Sequence, residues 1–128
     1  VRVKVAMIAH CKRQGTPIIT AGAAGGQLDP TRIVIDDLAR TEQDPLLAKT
    51  RNRLRKEHHY TRKPGVKFGV SAVYSTEPLR YPKQDAHCDL NAAGSALACA
   101  GFGSSVCVTA AFGFAAAAHV LRQIAETT

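Results

Sequence analysis

The chain has 128 residues, enough for a single domain with a core of its own. Seventeen Lys and Arg against ten Asp and Glu give a formal net charge of +7 and a pI near 9.6, which favours an anionic partner, most simply nucleic acid, over a cationic one. Four cysteines, Cys11, Cys88, Cys99 and Cys107, none spaced C-x-x-C, are too sparse for a disulfide scaffold and lack the paired-ligand pattern of structural zinc.

No metal site is expected, and a reduced, cytoplasmic protein fits this cysteine usage best. No secretory leader pattern is present at the start. The sequence opens at Val1, already inside an apolar-patterned segment, and reads as part of something longer.

Val1 to Gln14 places Val5, Ile8 and Ala9 on one helical stripe, and Gly15 stops it. Val1 to Val5 also alternates with Arg2 and Lys4, which suits an extended start, but the helix is preferred. Pro17 to Ala21 is a short buried strand after a tight turn. Thr31 to Leu38 alternates, with Ile33 and Ile35 on one face, and reads as a strand antiparallel to the first, joined to it through the glycine-rich turn.

Asp44 is a good N-cap and Pro45 suits the first helical position, so a helix is expected over 45–59 with Leu46, Leu47, Thr50 and Leu54 inward. Val66 to Thr76 is a strand with Phe68, Val70, Ala72 and Tyr74 on one face and Val73 on the other, so both faces are expected to be covered. Residues 78–100 are expected to form a flexible loop within the single domain 1–128. Ser104 or Ser105 caps a last helix, to about Ala125, whose small apolar residues predict burial on two sides rather than a membrane span.

The stretch TAGAAGGQLDPTRIVIDDL, Thr20 to Leu38, invites a phosphate-loop reading and fails it. Gly25-Gly26 is followed by Gln27-Leu28, with no Lys-Ser/Thr to reach the phosphates and Mg²⁺. Gly22, Gly25 and Gly26 do not match the dinucleotide fingerprint, and a strand rather than a helix comes next. A glycine turn between strands is the better reading.

The segments PIITAGAAGGQLDPTRIVIDDLARTEQDPLLAKTRNRLRK, GVSAVYSTEPLRYP and GFGSSVCVTAAFGFAAAAHVL resemble the bacterial tRNA threonylcarbamoyladenosine dehydratase family. That family is a branch of the E1-like superfamily, with ThiF, MoeB and HesA, which includes activators of ubiquitin-like modifiers. The resemblance runs along nearly the whole chain. It implies the C-terminal portion of an E1-like, Rossmann-like α/β fold, with a mixed sheet and a buried C-terminal helix. It also implies that the N-terminal ATP-binding half, with its phosphate loop and Mg²⁺-site Asp, lies outside these residues.

The activity implied is ATP- and Mg²⁺-dependent adenylation and cyclisation of threonylcarbamoyladenosine in tRNA, with the isolated chain inactive. The partners implied are tRNA, a second copy in a homodimer, and sulfur-transfer proteins, with no membrane. Two other readings stand beside it: an E1-like enzyme adenylating a ubiquitin-like sulfur carrier, and a non-catalytic dimerisation and RNA-binding module.

Lys49, Arg51, Arg53, Arg55, Lys56, Arg62 and Lys63, with Lys67 nearby, form the local argument for tRNA, since phosphate neutralisation needs clustered cations. His58, His59 and Tyr60 are placed to stack on bases. A solvated helix face is the alternative. By resemblance, Cys99 in CAGFGSS matches a cysteine that takes up an activated acyl group or sulfur, although the dehydratase reaction needs no thioester. Arg2 matches a family position near the nucleotide, with a structural ion pair as the alternative. Asp29 is read as a turn cap near the site rim, His119 as a satisfied core histidine, and Cys11 and Cys107 as buried small hydrophobes.

Overall fold

The structure is a computed structural model that describes residues 1–80 and 103–127. In chain order it contains α1 (Arg2–Gln14), β1 (Ile19–Ala21), a 3₁₀ turn (Pro30–Arg32), β2 (Ile33–Asp37), a second 3₁₀ turn (Leu38–Arg40), α2 (Pro45–Glu57), β3 (Ser71–Ser75) and α3 (Val106–Thr127). Helix α1 buries the expected Val5, Ile8 and Ala9. It ends where Gly15 turns left-handed at φ 67°, with Thr16 N–H donating back to the Cys11 carbonyl at 2.9 Å.

The strands are ordered β1-β3-β2, with β3 parallel to β1 and antiparallel to β2. The expected direct pairing of β1 with β2 is therefore wrong. Ser71–Ser75 sits between them because it is the one strand apolar on both faces, with Ala72, Val73 and Tyr74 all at most 4% exposed. Strands β1 and β2 each keep exposed positions, Ala21 and Val34, and flank it.

Three layers result. On one face of the sheet, Phe68, Val70, Ala72 and Tyr74 pack with Val5 and Ile8 of α1 and with Leu47 and Leu54 of α2. On the other face, Val73 packs with Val108 and Phe112 of α3, with Ile33 and Ile35 lying against them. Both expectations for β3 and β2, a doubly covered strand and an Ile33/Ile35 apolar face, hold. The α/β class, mixed sheet and C-terminal helix hold as well.

The burial expected of that helix does not. Only Val108 and Phe112 of α3 are buried, while Val106, Phe114, Leu121 and Ile124 are 60–76% exposed. A sheet of three strands covers one stripe of a 22-residue helix and leaves the opposite stripe open. By length and composition α3 is apolar enough to cross a membrane, with a mean hydropathy of 1.3 over its most apolar window. Its inner stripe nonetheless docks on the sheet, where His119 Nε2 lies 3.0 Å from Ser71 Oγ. His119 is half-buried and partnered, in keeping with its expected role. The loop expected over 78–100 lies outside the described residues except for Pro78, Leu79 and Arg80.

Candidate functional site

The glycine-rich loop between β1 and β2 does bind anionic groups, and they are the protein's own carboxylates. Asp44 caps α2 through Oδ1, which accepts the Leu47 N–H at 2.8 Å. Its Oδ2 reaches back to accept the Ala23 N–H at 2.7 Å. Gly22 must be glycine for this contact, because a Cβ there would lie 2.0 Å from Asp44 Oδ2. Lys4 donates to the Ala21 carbonyl beside it. Burial pulls the Lys4 ammonium below its usual pKa, and Asp44 acts against that.

Glu77 holds the other end of the loop. Its Oε2 accepts the N–H groups of Leu28 and Asp29, each at 2.9 Å, from a position just past β3. Those two N–H groups, Asp29's first, hold the Glu77 carboxyl below the usual range, and Arg80 adds to the effect. Arg80 Nε lies 3.4 Å from Glu77 Oε1. Asp29 itself caps the first 3₁₀ turn through Thr31, as its position suggested.

Between these two carboxylates, Gly26 adopts φ 74° and ties together both ends of the stretch that carries Cys88 and Cys99. The Arg80 N–H donates to the Gly26 carbonyl at 3.0 Å, and the Gly26 N–H donates to the Gly103 carbonyl at 3.3 Å. Cys99 and Cys88 lie outside the described residues. Cys11 is half-buried and Cys107 is exposed, so the reading of both as buried hydrophobes is corrected. Arg2 stands exposed in the first turn of α1 and makes no ion pair among the described residues.

The basic stretch divides into two groups. Arg51 donates to Thr41 Oγ1, and burial and the neighbouring Arg55 pull its guanidinium below the usual pKa. Arg55 lies 5.4 Å over the Phe68 ring and donates to the Thr61 carbonyl. Arg53 pairs with Glu57 at 2.7 Å. These three hold the fold or a neighbour. Lys49, Lys56, Arg62, Lys63 and Lys67 are exposed and make no ion pair among the described residues. Spacings of four and three residues put Lys49, Arg53 and Lys56 on one face of α2, opposite Leu47, Thr50 and Leu54.

Tyr60 is not free to stack on a base. Its ring meets Phe68 edge-on at 4.9 Å, and its hydroxyl is buried without a partner. His59 is the exposed member of that trio. Glu77, Arg80 and Gln27 were not singled out from the sequence. Their roles depend on contacts across dozens of residues, such as the 49 between Leu28 and Glu77, which no local spacing encodes.

No family model matches the chain. The tRNA threonylcarbamoyladenosine dehydratases of Haemophilus influenzae and Escherichia coli are each 46% identical to it over 97% of its length. The chain is a homologue of these dehydratases. It spans about half the length of the curated relatives it matches, 47% and 48% respectively. The dehydratase of Bacillus subtilis is 34% identical over 58% of this chain. Solved structures of the E. coli dehydratase in complex with AMP and with ATP superpose with a TM-score of 0.79 and 42% identity, over 97% of this chain and 44% of that one.

The glycine-rich loop of this chain does not itself fit a nucleoside triphosphate. The loop N–H groups of Ala23, Leu28 and Asp29, which a phosphate would need, already serve Asp44 and Glu77. Among the described residues no group of three His, Cys, Asp or Glu is arranged to hold a metal ion.

Proposed function

We propose that this chain is the C-terminal part of an ATP- and Mg²⁺-dependent, cytoplasmic enzyme that adenylates threonylcarbamoyladenosine in tRNA and closes it to a cyclic form with loss of water. The observation that carries this reading is the identity of 46% sustained over 97% of the chain with proteins of that name. ATP and Mg²⁺ belong to residues outside this chain, which alone is inactive. Arg2, exposed at the first turn of α1, is the proposed nucleotide contact from this side. Cys99 is the proposed acceptor of an activated group, on resemblance alone.

The tRNA lies along the exposed cations Lys49, Lys56, Arg62 and Lys63, with Arg53 at the margin. Arg51 and Arg55 are held by Thr41, Thr61 and Phe68 and serve the fold first. A second copy of the chain covers the open face of α3. Val106, Ala110, Gly113, Ala117, Val120 and Ile124 follow one another at alternating spacings of four and three, the period of a helix-pairing seam, with small residues at its centre. Sulfur-transfer proteins are the further partner implied by resemblance.

Incubating the longer protein with tRNA and ATP, then digesting the tRNA to nucleosides for mass spectrometry, tests the reading. Loss of one water from the threonylcarbamoyl nucleoside is expected, and an unchanged mass contradicts it.

A further inference from the structure

The exposed cations Arg62 and Lys63 stand on residues 58–70, which join α2 to β3 and contain no helix or strand. Ordering a flexible segment on binding costs entropy, so cations on such a segment work best when the fold already holds it. At the α2 end the Leu54 carbonyl holds it, accepting the His58 N–H at 3.0 Å and the Tyr60 N–H at 3.3 Å. At the β3 end one side chain from another strand does so.

That side chain is Asp37, half-buried at the end of β2. It accepts three successive N–H groups: Phe68's on Oδ1 at 2.8 Å, and Gly69's and Val70's on Oδ2 at 2.8 and 3.3 Å. Gly69 adopts φ 68°, the left-handed turn that lets neighbouring N–H groups converge on an anion. Oδ1 also accepts the Ala39 N–H at 2.9 Å, which fixes the carboxylate from its own side.

The Phe68 ring, placed by this clasp, carries the rest of the segment. Tyr60 meets it edge-on at 4.9 Å and Arg55 covers it at 5.4 Å. Arg55 Nε donates to the Thr61 carbonyl at 3.3 Å, and Thr61 Oγ1 accepts the Lys63 N–H at 3.1 Å. Contacts therefore run unbroken from Asp37 to the backbone that bears both cations.

We propose that Asp37 is a positioning residue for RNA, holding residues 58–70 so that Arg62 and Lys63 meet the phosphate backbone as a set. The assignment rests on the proposed function, in which tRNA lies along these cations. Its consequence is opposite in sign to that of charge alone. Removing a carboxylate from a chain of net charge +7 strengthens its attraction for a polyanion. Loss of positioning weakens binding.

The test is Asp37→Asn in the longer protein, with tRNA binding followed by fluorescence anisotropy and cyclisation measured at varied tRNA. The substitution keeps the shape and turns an NH₂ group towards N–H groups that need an acceptor. Affinity for tRNA is expected to fall about threefold or more, with KM for tRNA rising in step and kcat staying within about twofold. Glu42→Gln removes an equal charge at an exposed position and is expected to leave affinity unchanged or raised. With Asp37 replaced, Arg62→Ala with Lys63→Ala should cost less affinity than in the unmodified protein. Phe68→Leu cuts the same path with every charge in place and is read by the same criteria, including where Asp37→Asn does not fold.

Unchanged or tighter binding by these variants, strict additivity with the Arg62 and Lys63 pair, or a fall in kcat alone overturns the positioning role and leaves the proposed function intact. An unmodified longer protein that binds tRNA without cyclising it contradicts the proposed function, while the binding comparison still decides the role of Asp37. One that does not bind tRNA overturns both.

Discussion

Asp44 Oδ2 accepts the Ala23 N–H at 2.7 Å, so the residue that starts α2 also closes the glycine loop 21 positions earlier. The contact fixes the identity of Gly22, whose Cβ would fall 2.0 Å from that oxygen. Asp44→Ala removes a helix cap and leaves the Ala23 N–H without its partner, and is expected to destabilise the chain by about 2–4 kcal/mol. Gly22→Ala is expected to destabilise through the clash. Because Asp44→Ala removes the oxygen responsible, the double variant should lose less than the sum of the two. Chemical denaturation of all four chains measures the difference, and strict additivity would show that the contact does not exist in solution.

Glu77 ties stability to pH. Its folded-state pKa is held below the ordinary value of 4.5 by the Asp29 and Leu28 N–H groups. The unfolded chain therefore binds the proton more readily, and stability rises with pH through this window. Glu77 contributes fully above its unfolded value, and the contribution is lost as pH falls through the folded one. Glu77→Gln is expected to flatten the dependence of melting temperature on pH in the acid range below 4.5. An unchanged acid limb would show that the two N–H contacts do not bias the carboxyl.

The basic surface predicts graded effects on tRNA binding. Lys49→Ala with Lys56→Ala, and Arg62→Ala with Lys63→Ala, remove exposed charges and should each weaken binding several-fold. Each pair should also reduce the slope of log K against log salt by roughly 1–2. Arg53→Ala should do less, because its guanidinium is already paired with Glu57. Arg55→Ala should cost stability, through loss of its place over Phe68, before it costs affinity. Fluorescence anisotropy across a salt series separates these classes.

The open face of α3 predicts self-association. Phe114 is 76% and Leu121 66% exposed on the side away from the sheet. Leu121→Glu places a charge at the edge of the proposed seam, beside Val120, without touching Val108 or Phe112, and is expected to shift the chain towards monomer in sedimentation velocity. A monomer already present in the unmodified chain, or a dimer indifferent to the substitution, would assign that face to another partner.

Local chemistry was legible in the sequence wherever the partner lay close by. Gly15 as a helix stop, Asp44 as a cap and the split of Phe68, Val70, Ala72 and Tyr74 from Val73 all follow from periodicity and side-chain type. Strand order was not legible, because the turn between β1 and β2 looks like a hairpin until β3 arrives to claim the centre.

The burial of α3 was misread because composition reports what a helix is made of and not how wide the sheet beneath it is. The basic run looked uniform in the sequence, yet Arg51 and Arg55 turn to Thr41 and Phe68 while Lys49 and Lys56 face outward. The sequence argues against a phosphate on the loop for want of a lysine, whereas the pairing of its N–H groups with Asp44 and Glu77 is visible only in the fold.

The central claim is that these residues form the C-terminal part of a tRNA threonylcarbamoyladenosine dehydratase. Its most direct test replaces the matching region of the E. coli dehydratase, which shares 46% identity with this chain, by this 128-residue chain. The chimera is produced in cells lacking that enzyme, and their tRNA nucleosides are measured by mass spectrometry. The cyclic nucleoside is the expected product. A folded, soluble chimera that leaves only the linear form would contradict it.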